Sequence, residues 1–316
     1  MAAGLGTRLR PLTYEVPKPM VPVVNRPIME HILRLLPRHG FSEVIANLHW
    51  FPDTIRNRFG DGLALGIDLT YSYEDELMGT AGGVRNVSSF FGAEPFLVMA
   101  ADALTDIDLG ALVAAHNENG GIATLAVTQV PNVSEFGVVI TDAGGRIQGF
   151  QEKPDPAEAL SDLASCMIYI LEPEIFDYFP ETEFVDWAQD VFPALLDQDV
   201  PFYGHEISEY WNDIGNIKEF RQGNFDAMSG EVKVDFDPGR LNPDGLEIEE
   251  EPVYVGEDCE IGADVRLTGP LVLGDGCRVG ERAAIRDSVL WPGTEVGTHE
   301  VLIGAVAGTG PLAEKL

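Results

Sequence analysis

The sequence predicts an α/β protein in two parts. A mostly parallel sheet with helices on both faces comes first, and a parallel β-helix follows. Three observations predict this. Helix-like and strand-like stretches alternate from residue 1 to about 228. An acidic, turn-rich stretch containing DFDPGRLNPDG then interrupts them. From Val255 onward a hydrophobic residue recurs every six positions. Strands separated by helices imply a sheet covered on both sides. A six-residue period gives each hexad one flat face of a β-helix.

Taken in order, IMEHILRLL (28–36) places Ile28, Met29, Ile32, Leu33, Leu35 and Leu36 on one helical face. EVIANLH (43–49) and IDLTYSY (67–73) read as strands, the second with one wet face. EPFLVMAAD (94–102) is an apolar run ending in Asp102, the pattern of a buried parallel strand. DLGALVAAH (108–116) is helical and IATLAVTQV (122–130) is a strand. FGVVITDAGGRIQGF (136–150) is a hairpin turning on Ala-Gly-Gly. WAQDVFPALL (187–196) and NIKEFRQGNFDAM (216–228) are helical. Residues 229–250 read as a linker between a domain at 1–228 and the hexads at 251–316.

Val255, Ile261, Leu267, Leu273, Val279, Ile285 and Trp291 keep the period of six without slippage. Cys259, Val265, Leu271, Cys277, Ala283 and Val289 follow the first six, each four residues behind. Cys259 and Cys277 are three hexads apart, so they are expected to stack in adjacent coils as reduced, core-filling thiols. The repeat fades after Val296, and the C-terminus is expected to fall short of a full domain.

Composition sets the class. The chain has 316 residues, 45% of them hydrophobic, enough for a substantial core. No apolar run approaches the ~20 residues of a membrane span. The N-terminus lacks the basic-then-apolar pattern of a secretory signal. Three cysteines without CxxC suggest neither a disulfide framework nor a zinc cluster, and the cytoplasm is the expected compartment. A formal charge of −32 argues against nucleic acid as a partner. It also makes cations informative. Only five lysines occur, and two sit in Lys-Pro pairs, Lys18 and Lys153.

Six stretches carry chemistry. In GLGTRLRPLT (4–13), Gly4 and Gly6 let backbone N–H groups approach a polyphosphate, and Arg8 adds a clamp on its oxygens. In PKP, prolines on both sides stiffen the base of Lys18, a point charge suited to a phosphate undergoing substitution. Asp102 ends a strand where open α/β sheets bind ligands, and Mg²⁺ takes one or two such carboxylates with substrate phosphates. Asp106 and Asp108 read as caps of the next helix. Asp213, in WNDIG, is either a second metal ligand or a turn residue leading into a helix. Glu152 and Lys153, in QEKPD, can meet one ligand only if the chain bends, and are otherwise an exposed ion pair. GTAGG opens a helix at Gly79, Thr80, Gly82 and Gly83, admitting a flat ring against the backbone or forming an ordinary helix start. The six histidines form no cluster with metal-ligand spacing.

Together GLGTRLRPLT with PKPM, GTAGG, the strand ending in Asp102, FGVV, EKP, DVFP, WNDIG and the hexads resemble the sugar-1-phosphate nucleotidyltransferases. The resemblance is greatest to long members with a C-terminal left-handed β-helix, such as mannose-1-phosphate guanylyltransferases. It implies a Rossmann-like sheet, and transfer of a nucleotidyl group from an NTP to a sugar-1-phosphate with release of pyrophosphate. It further implies that Arg8 and Lys18 are catalytic and that Asp102 and Asp213 hold Mg²⁺. Gly4, Gly6, Thr7, Gly79, Thr80 and Gly82 would bind the nucleotide. Gly137, Glu152, Lys153 and Ser165 would bind the sugar phosphate. GTP with mannose-1-phosphate is the first expectation, and dTTP or UTP with glucose-1-phosphate the second. A homo-oligomer is expected from the open end and faces of the β-helix.

Three departures from the family pattern stand out. Ala101 replaces the usual glycine before the metal aspartate, and Ser165-Cys166-Met167 replaces Asn-Ala-Gly, so Met167 is expected to crowd the sugar pocket. The phosphate loop also lacks the short apolar strand that such loops follow, and the gene is expected to start upstream of Met1. Two other readings remain: a catalytically weak regulatory subunit of the same fold, and a hexapeptide-repeat acyltransferase. The latter needs more coils and a catalytic histidine, and only His299 lies in the repeat region.

Overall fold

In the computed structural model, which describes residues 1–308, the chain opens on three short 3-10 turns at Thr7–Leu9, Leu12–Tyr14 and Lys18–Met20. A hairpin of β1 (Pro22–Val23) and β2 (Arg26–Pro27) follows, turning through Val24 and Asn25 at φ 46° and 64°. Helix α1 (Ile28–Leu35) buries the apolar face that the sequence marks. Next, β3 (Glu43–Leu48), α2 (Pro52–Phe59) and β4 (Asp68–Tyr73) form a unit in which the two strands pair in parallel. Then come α3 (Gly79–Asn86), β5 (Phe96–Met99), β6 (Leu104–Thr105) and α4 (Leu109–Asn119). Asp108 caps α4 by accepting from the Ala111 N–H, as expected. Asp106 does not cap it. Its two oxygens accept from the backbone N–H groups of Tyr210 and Lys233, tying distant segments together.

The remaining elements of this part are β7 (Ala123–Gln129), β8 (Gly137–Thr141), β9 (Ile147–Glu152), β10 (Leu163–Leu171), α5 (Phe192–Asp197), β11 (Tyr203–Glu206), β12 (Trp211–Asn212) and α6 (Ile217–Ser229). The main sheet runs β11-β7-β10-β8-β9, with β5 also on β10. Alternate side chains of β10 feed two cores. Cys166, Ile168 and Ile170 join α1 and α4, while Tyr169 and Leu171 join α3 and α5. Helices therefore cover both faces, as expected. Strand direction differs from the expectation: β10 runs antiparallel to β5, β7 and β8, and only β7 with β11 is parallel in this sheet. Apolar continuity reports burial on both faces and carries no information about direction.

The sheet is split. A cavity of about 320 Å³ separates the β3–β4 pair from β5. Side chains of α1 (Met29, Ile32, Leu33) line it, as do Val84, Val87 and Phe91. Met1 closes one end. Its N–H donates to Met99 O (2.6 Å) and its carbonyl accepts from Ala101 N–H (2.8 Å), the spacing of a parallel ladder. The sequence expects a strand ahead of Gly4; Met1 makes the only two ladder bonds seen there among the described residues.

The β-helix is built from β13 (Ile248–Glu250), β14 (Val253–Val255), β15 (Glu260–Ile261), β16 (Arg266–Thr268), β17 (Leu271–Leu273) and β18 (Arg278–Val279). It continues through β19 (Ala284–Arg286), β20 (Val289–Leu290), β21 (Glu295–Val296), β22 (Val301–Ile303) and β23 (Val306–Ala307). They form three parallel faces, β13-β16-β19-β22, β14-β17-β20-β23 and β15-β18-β21. Three expectations need correction. Residues 248–250, read as linker, pair with β16 and belong to the first coil. The repeat does not end at Val296, since β22 and β23 extend it to Ala307; residues 309–316 lie outside the described residues.

The third correction is that the period slips. Val253 faces Leu271, eighteen residues on, whereas Val272 faces Val289, seventeen on. Leu290 thus takes the inward place expected for Trp291, and Val289 turns outward. Cys259 and Cys277 do stack in adjacent coils as free thiols, donating to the carbonyls of Gly274 (3.1 Å) and Trp291 (3.2 Å).

Candidate active site

The phosphate loop is shaped by its second glycine. Gly6 sits at φ 60° and ψ 33°, a left-handed conformation that favours glycine. A Cβ there would meet Lys18 Cβ at 2.9 Å. Thr13 fixes the loop by donating its hydroxyl to Gly6 O (2.7 Å). The space beside Gly4 is open, so a ligand can come against its backbone. Ala2 N–H donates to Asn47 Oδ1 (2.8 Å), and Asn47 in turn donates to the buried Glu74 (2.7 Å). Nothing in the sequence pattern singles out Asn47 or Glu74, whose spacing carries no motif.

Lys18 is the centre of the site. It is 8% exposed, stiffened by Pro17 and Pro19. Its Nζ lies 2.8 Å from Asp102 Oδ2 and donates to the carbonyl of Asp213 at 2.7 Å. Arg8, far more exposed, reaches Asp213 Oδ2 at 3.5 Å. A pocket of about 190 Å³ is lined by Gly4, Gly6, Thr7, Arg8, Lys18 and Asp102, with Gly215 closing it. Residues from four separate stretches of chain thus meet at one point. Asp102 lies in the turn just past β5. Asp213 is not the cap of α6; Asn216 fills that role, and Asp213 Oδ1 accepts from Gly215 N–H instead. The Asp213 carboxylate thus faces Arg8, while its backbone carbonyl takes Lys18.

A second group of residues sits on the sheet edge. Gly137 pairs directly opposite Glu152, and a Cβ on Gly137 would come 3.1 Å from Glu152 Oε2. Lys153 has φ 45°, which supplies the bend that joint presentation of Glu152 and Lys153 requires. The two side chains are 3.4 Å apart and both exposed. Trp211 Nε1–H donates to Cys166 O (3.1 Å), joining β10 to the segment that leads to Asp213. Ser165 Oγ lies 3.1 Å from the Tyr169 hydroxyl, which donates to Met167 Sδ (3.0 Å). Burial pushes the Tyr169 hydroxyl up from its ordinary value, so it remains a neutral donor. Met167 adopts φ 57° in the bulge of β10, a conformation that costs a residue with a Cβ.

Gly79, Thr80 and Gly82 do not line the phosphate pocket. Their local roles are clear. A Cβ on Gly79 would come 2.3 Å from Val185 O, and the N–H groups of Ala81 and Gly82 donate to that same carbonyl. The Thr80 hydroxyl donates to Asp186 Oδ2 (2.7 Å) and accepts from Trp187 N–H (3.1 Å). The glycines therefore let the start of α3 close on the 183–187 segment.

The open backbone of Gly4, the cations Arg8 and Lys18 and the Asp102 carboxylate line about 190 Å³, with the Asp213 carboxylate 3.5 Å from Arg8. The family model "Nucleotidyl transferase" matches residues 1–229, and the chain belongs to that family. Within it, the chain is a sugar-1-phosphate nucleotidyltransferase. It is 37% identical to a UTP–glucose-1-phosphate uridylyltransferase of Synechocystis, over 96% of this chain and 84% of that one. It is 33% identical to a mannose-1-phosphate guanylyltransferase of Mycobacterium tuberculosis, over 88% and 80% respectively. A solved putative glucose-1-phosphate thymidylyltransferase from Bacillus anthracis shares the fold, with TM-score 0.66 and 22% identity over 74% of this chain and 94% of that one. No helix among the described residues is long and apolar enough to cross a membrane.

Proposed function

We propose that the chain transfers GMP from GTP to mannose-1-phosphate, giving GDP-mannose and pyrophosphate. The observation that carries the transfer chemistry is Lys18, held between Asp102 and the Asp213 carbonyl beside the open backbone of Gly4. Similarity to guanylyltransferases over chain and hexads together supports the pair of substrates. A second reading, UTP with glucose-1-phosphate, is favoured by the likeness to the Synechocystis protein.

Two anions must be brought together, so the protein has to cancel their repulsion before displacement. A sugar-phosphate oxygen attacks the α-phosphorus in line, the bond to the β-phosphate bridging oxygen breaks, and pyrophosphate leaves with that electron pair. No general base is needed, because the nucleophile is already an anionic oxygen. Gly4, Gly6 and Thr7 hold the triphosphate, Arg8 meets the departing pyrophosphate, and Lys18 stabilises charge at the reacting phosphates. Glu152 takes sugar hydroxyls, Lys153 the sugar phosphate, with Gly137 and Ser165 beside them. Gly79, Thr80 and Gly82 lie by the nucleotide base.

Asp102 and Asp213 fit Mg²⁺ by their chemistry: both offer hard carboxylate oxygens, Asp102 on the pocket wall and Asp213 within 3.5 Å of the pocket residue Arg8. When bound, that ion supplies neutralisation of phosphate charge. The cytoplasm is the proposed compartment. Pyrophosphate release, measured with Mg²⁺ across all pairings of four NTPs with mannose- and glucose-1-phosphate, tests the reading. GTP with mannose-1-phosphate is expected to lead. A lead for UTP with glucose-1-phosphate replaces that pair, and no turnover with any pair sinks the enzyme itself.

A further inference from the structure

The β-helix packs against the catalytic part at the segments that carry its charged groups. Outward residues Tyr254, Val272, Val289 and Val306 share one apolar cluster with Leu9 and Leu12 of the phosphate loop. The one-residue slip turns Trp291 to this side, where its ring meets Phe220 of α6 at 6.2 Å. A Cβ on Gly308 would lie 3.6 Å from Trp291 Cε3 and 3.9 Å from Leu12 Cδ2.

Two polar clamps frame this cluster. Asn25, at the tip of the β1–β2 turn, donates to Asp275 Oδ1 (2.6 Å) and accepts from Asp275 N–H (3.3 Å). That turn follows directly on Lys18, whose carbonyl accepts from Val21 N–H (3.1 Å). On α6, Arg221 Nη1 donates to Gly304 O (2.7 Å). Helix α6 follows directly on Asp213, through the fully buried Ile214. Asn224 of α6 closes the triangle, accepting from Val24 N–H (2.8 Å) while itself completely buried. So one clamp holds the segment bearing Lys18, the other holds the segment bearing Asp213, and the same rigid coils carry both.

We infer that the β-helix sets the spacing of Lys18 and Asp213, with Asn25 and Arg221 as positioning residues that act through those two groups. The inference rests on the proposed phosphate chemistry of that site. A misplacement of about 1 Å in such a site costs up to roughly a hundredfold in rate. Parallel coils resist bending, so they are suited to holding two loops at a fixed distance.

The test uses the full chain. Asn25→Gly keeps the left-handed turn and removes both bonds to Asp275. Arg221→Met keeps the stem and removes the donor. The double variant is compared with Val279→Ala, which loosens the β-helix interior and leaves the clamp bonds of Asn25 and Arg221 in place. The double variant is expected to lose about tenfold or more in kcat at saturating substrates, and Arg221→Lys to restore most of its share. Val279→Ala is expected to lower Tm comparably while leaving kcat per folded molecule unchanged. Wild-type kcat in the double variant, or an equal loss in Val279→Ala, overturns the inference. Calorimetric titration with Mg²⁺ and inorganic pyrophosphate keeps the two readings apart. If wild type turns over no sugar phosphate, the proposed reaction falls. The positioning inference then stands on a loss of pyrophosphate affinity confined to the clamp variants, and absent pyrophosphate binding by wild type overturns both.

Discussion

Lys18 pairs with the Asp102 carboxylate and donates to the backbone carbonyl of Asp213, so its removal leaves Asp102 without its cation. Lys18→Met is expected to lower kcat by about 100-fold or more, the loss typical of one charged donor at a reacting phosphate. Steady-state rates on a variant with wild-type circular dichroism check this. Asp102→Asn is expected to abolish Mg²⁺-dependent turnover with the fold intact, and near-wild-type activity would refute the metal assignment. Met167→Gly removes both the strained φ and the side chain held by Tyr169. A several-fold lower KM for the sugar phosphate with little change in KM for the NTP is expected; unchanged KM values mean that Met167 does not crowd the pocket.

A further residue governs pH behaviour. His31 is buried, and burial lowers its pKa from 6.5 to about 4. As pH falls below 6.5 the unfolded chain takes up a proton that the folded chain refuses, so stability drops between about 6.5 and about 4. Glu30 works in a lower window. Burial alone would raise it, but hydrogen bonds from Arg58, Arg34 and Arg26 outweigh burial and bring it from 4.5 down to about 2, so its contribution is lost between those values as pH falls. His31→Gln retains a donor toward Val23 O and cannot titrate. Its Tm is expected to change less than wild type's between pH 7 and pH 5; equal slopes would discard this account.

At the scale of elements, legibility followed physics. Helix α1 was legible because its apolar positions repeat at helical spacing, and Asp108 because a cap precedes its helix. Strand β10 was not, although it is the hub of the sheet: LASCMIYIL mixes small and polar residues at a bulge where Ser165 and Met167 break alternation. The site was legible where glycine, proline and charge crowd together, as around Lys18. It was illegible where a side chain such as Asn47 or Asn25 acts through long-range bonds that leave no local pattern. The split between β3 and β5 has its own consequence. Met1 sits opposite Ala100 in ladder spacing, so residues placed before it would run beside Val98 and Phe96 within an apolar slot. A chain carrying five apolar residues ahead of Met1 is expected to melt several degrees higher, because buried ladder groups find partners. An unchanged Tm would mean that the slot does not accept a strand.

Over the whole molecule, a charge of −32 opposes two anionic substrates. The local cations Arg8 and Lys18 act at contact range, while the repulsive field acts from further away. Salt shortens the screening length from ~30 Å at about 0.01 M to ~10 Å at about 0.1 M. At fixed free Mg²⁺, kcat/KM for the NTP is therefore expected to rise about twofold or more over that range of KCl. A falling value would show that the pocket's own cations dominate approach.

Seventeen-residue coils break the regularity of the hexads first between Arg286 and Val289, and again between Ile303 and Val306. A perfect repeat is blind to orientation, because every rung presents the same outer surface as the last. Dropping one residue rotates the phase of all that follows, and Trp291 faces the catalytic half as a result. The omission works as an address label: it tells an otherwise uniform rod which side to dock. In other hexapeptide arrays, a single missing residue would then mark the side on which the rod meets its neighbour.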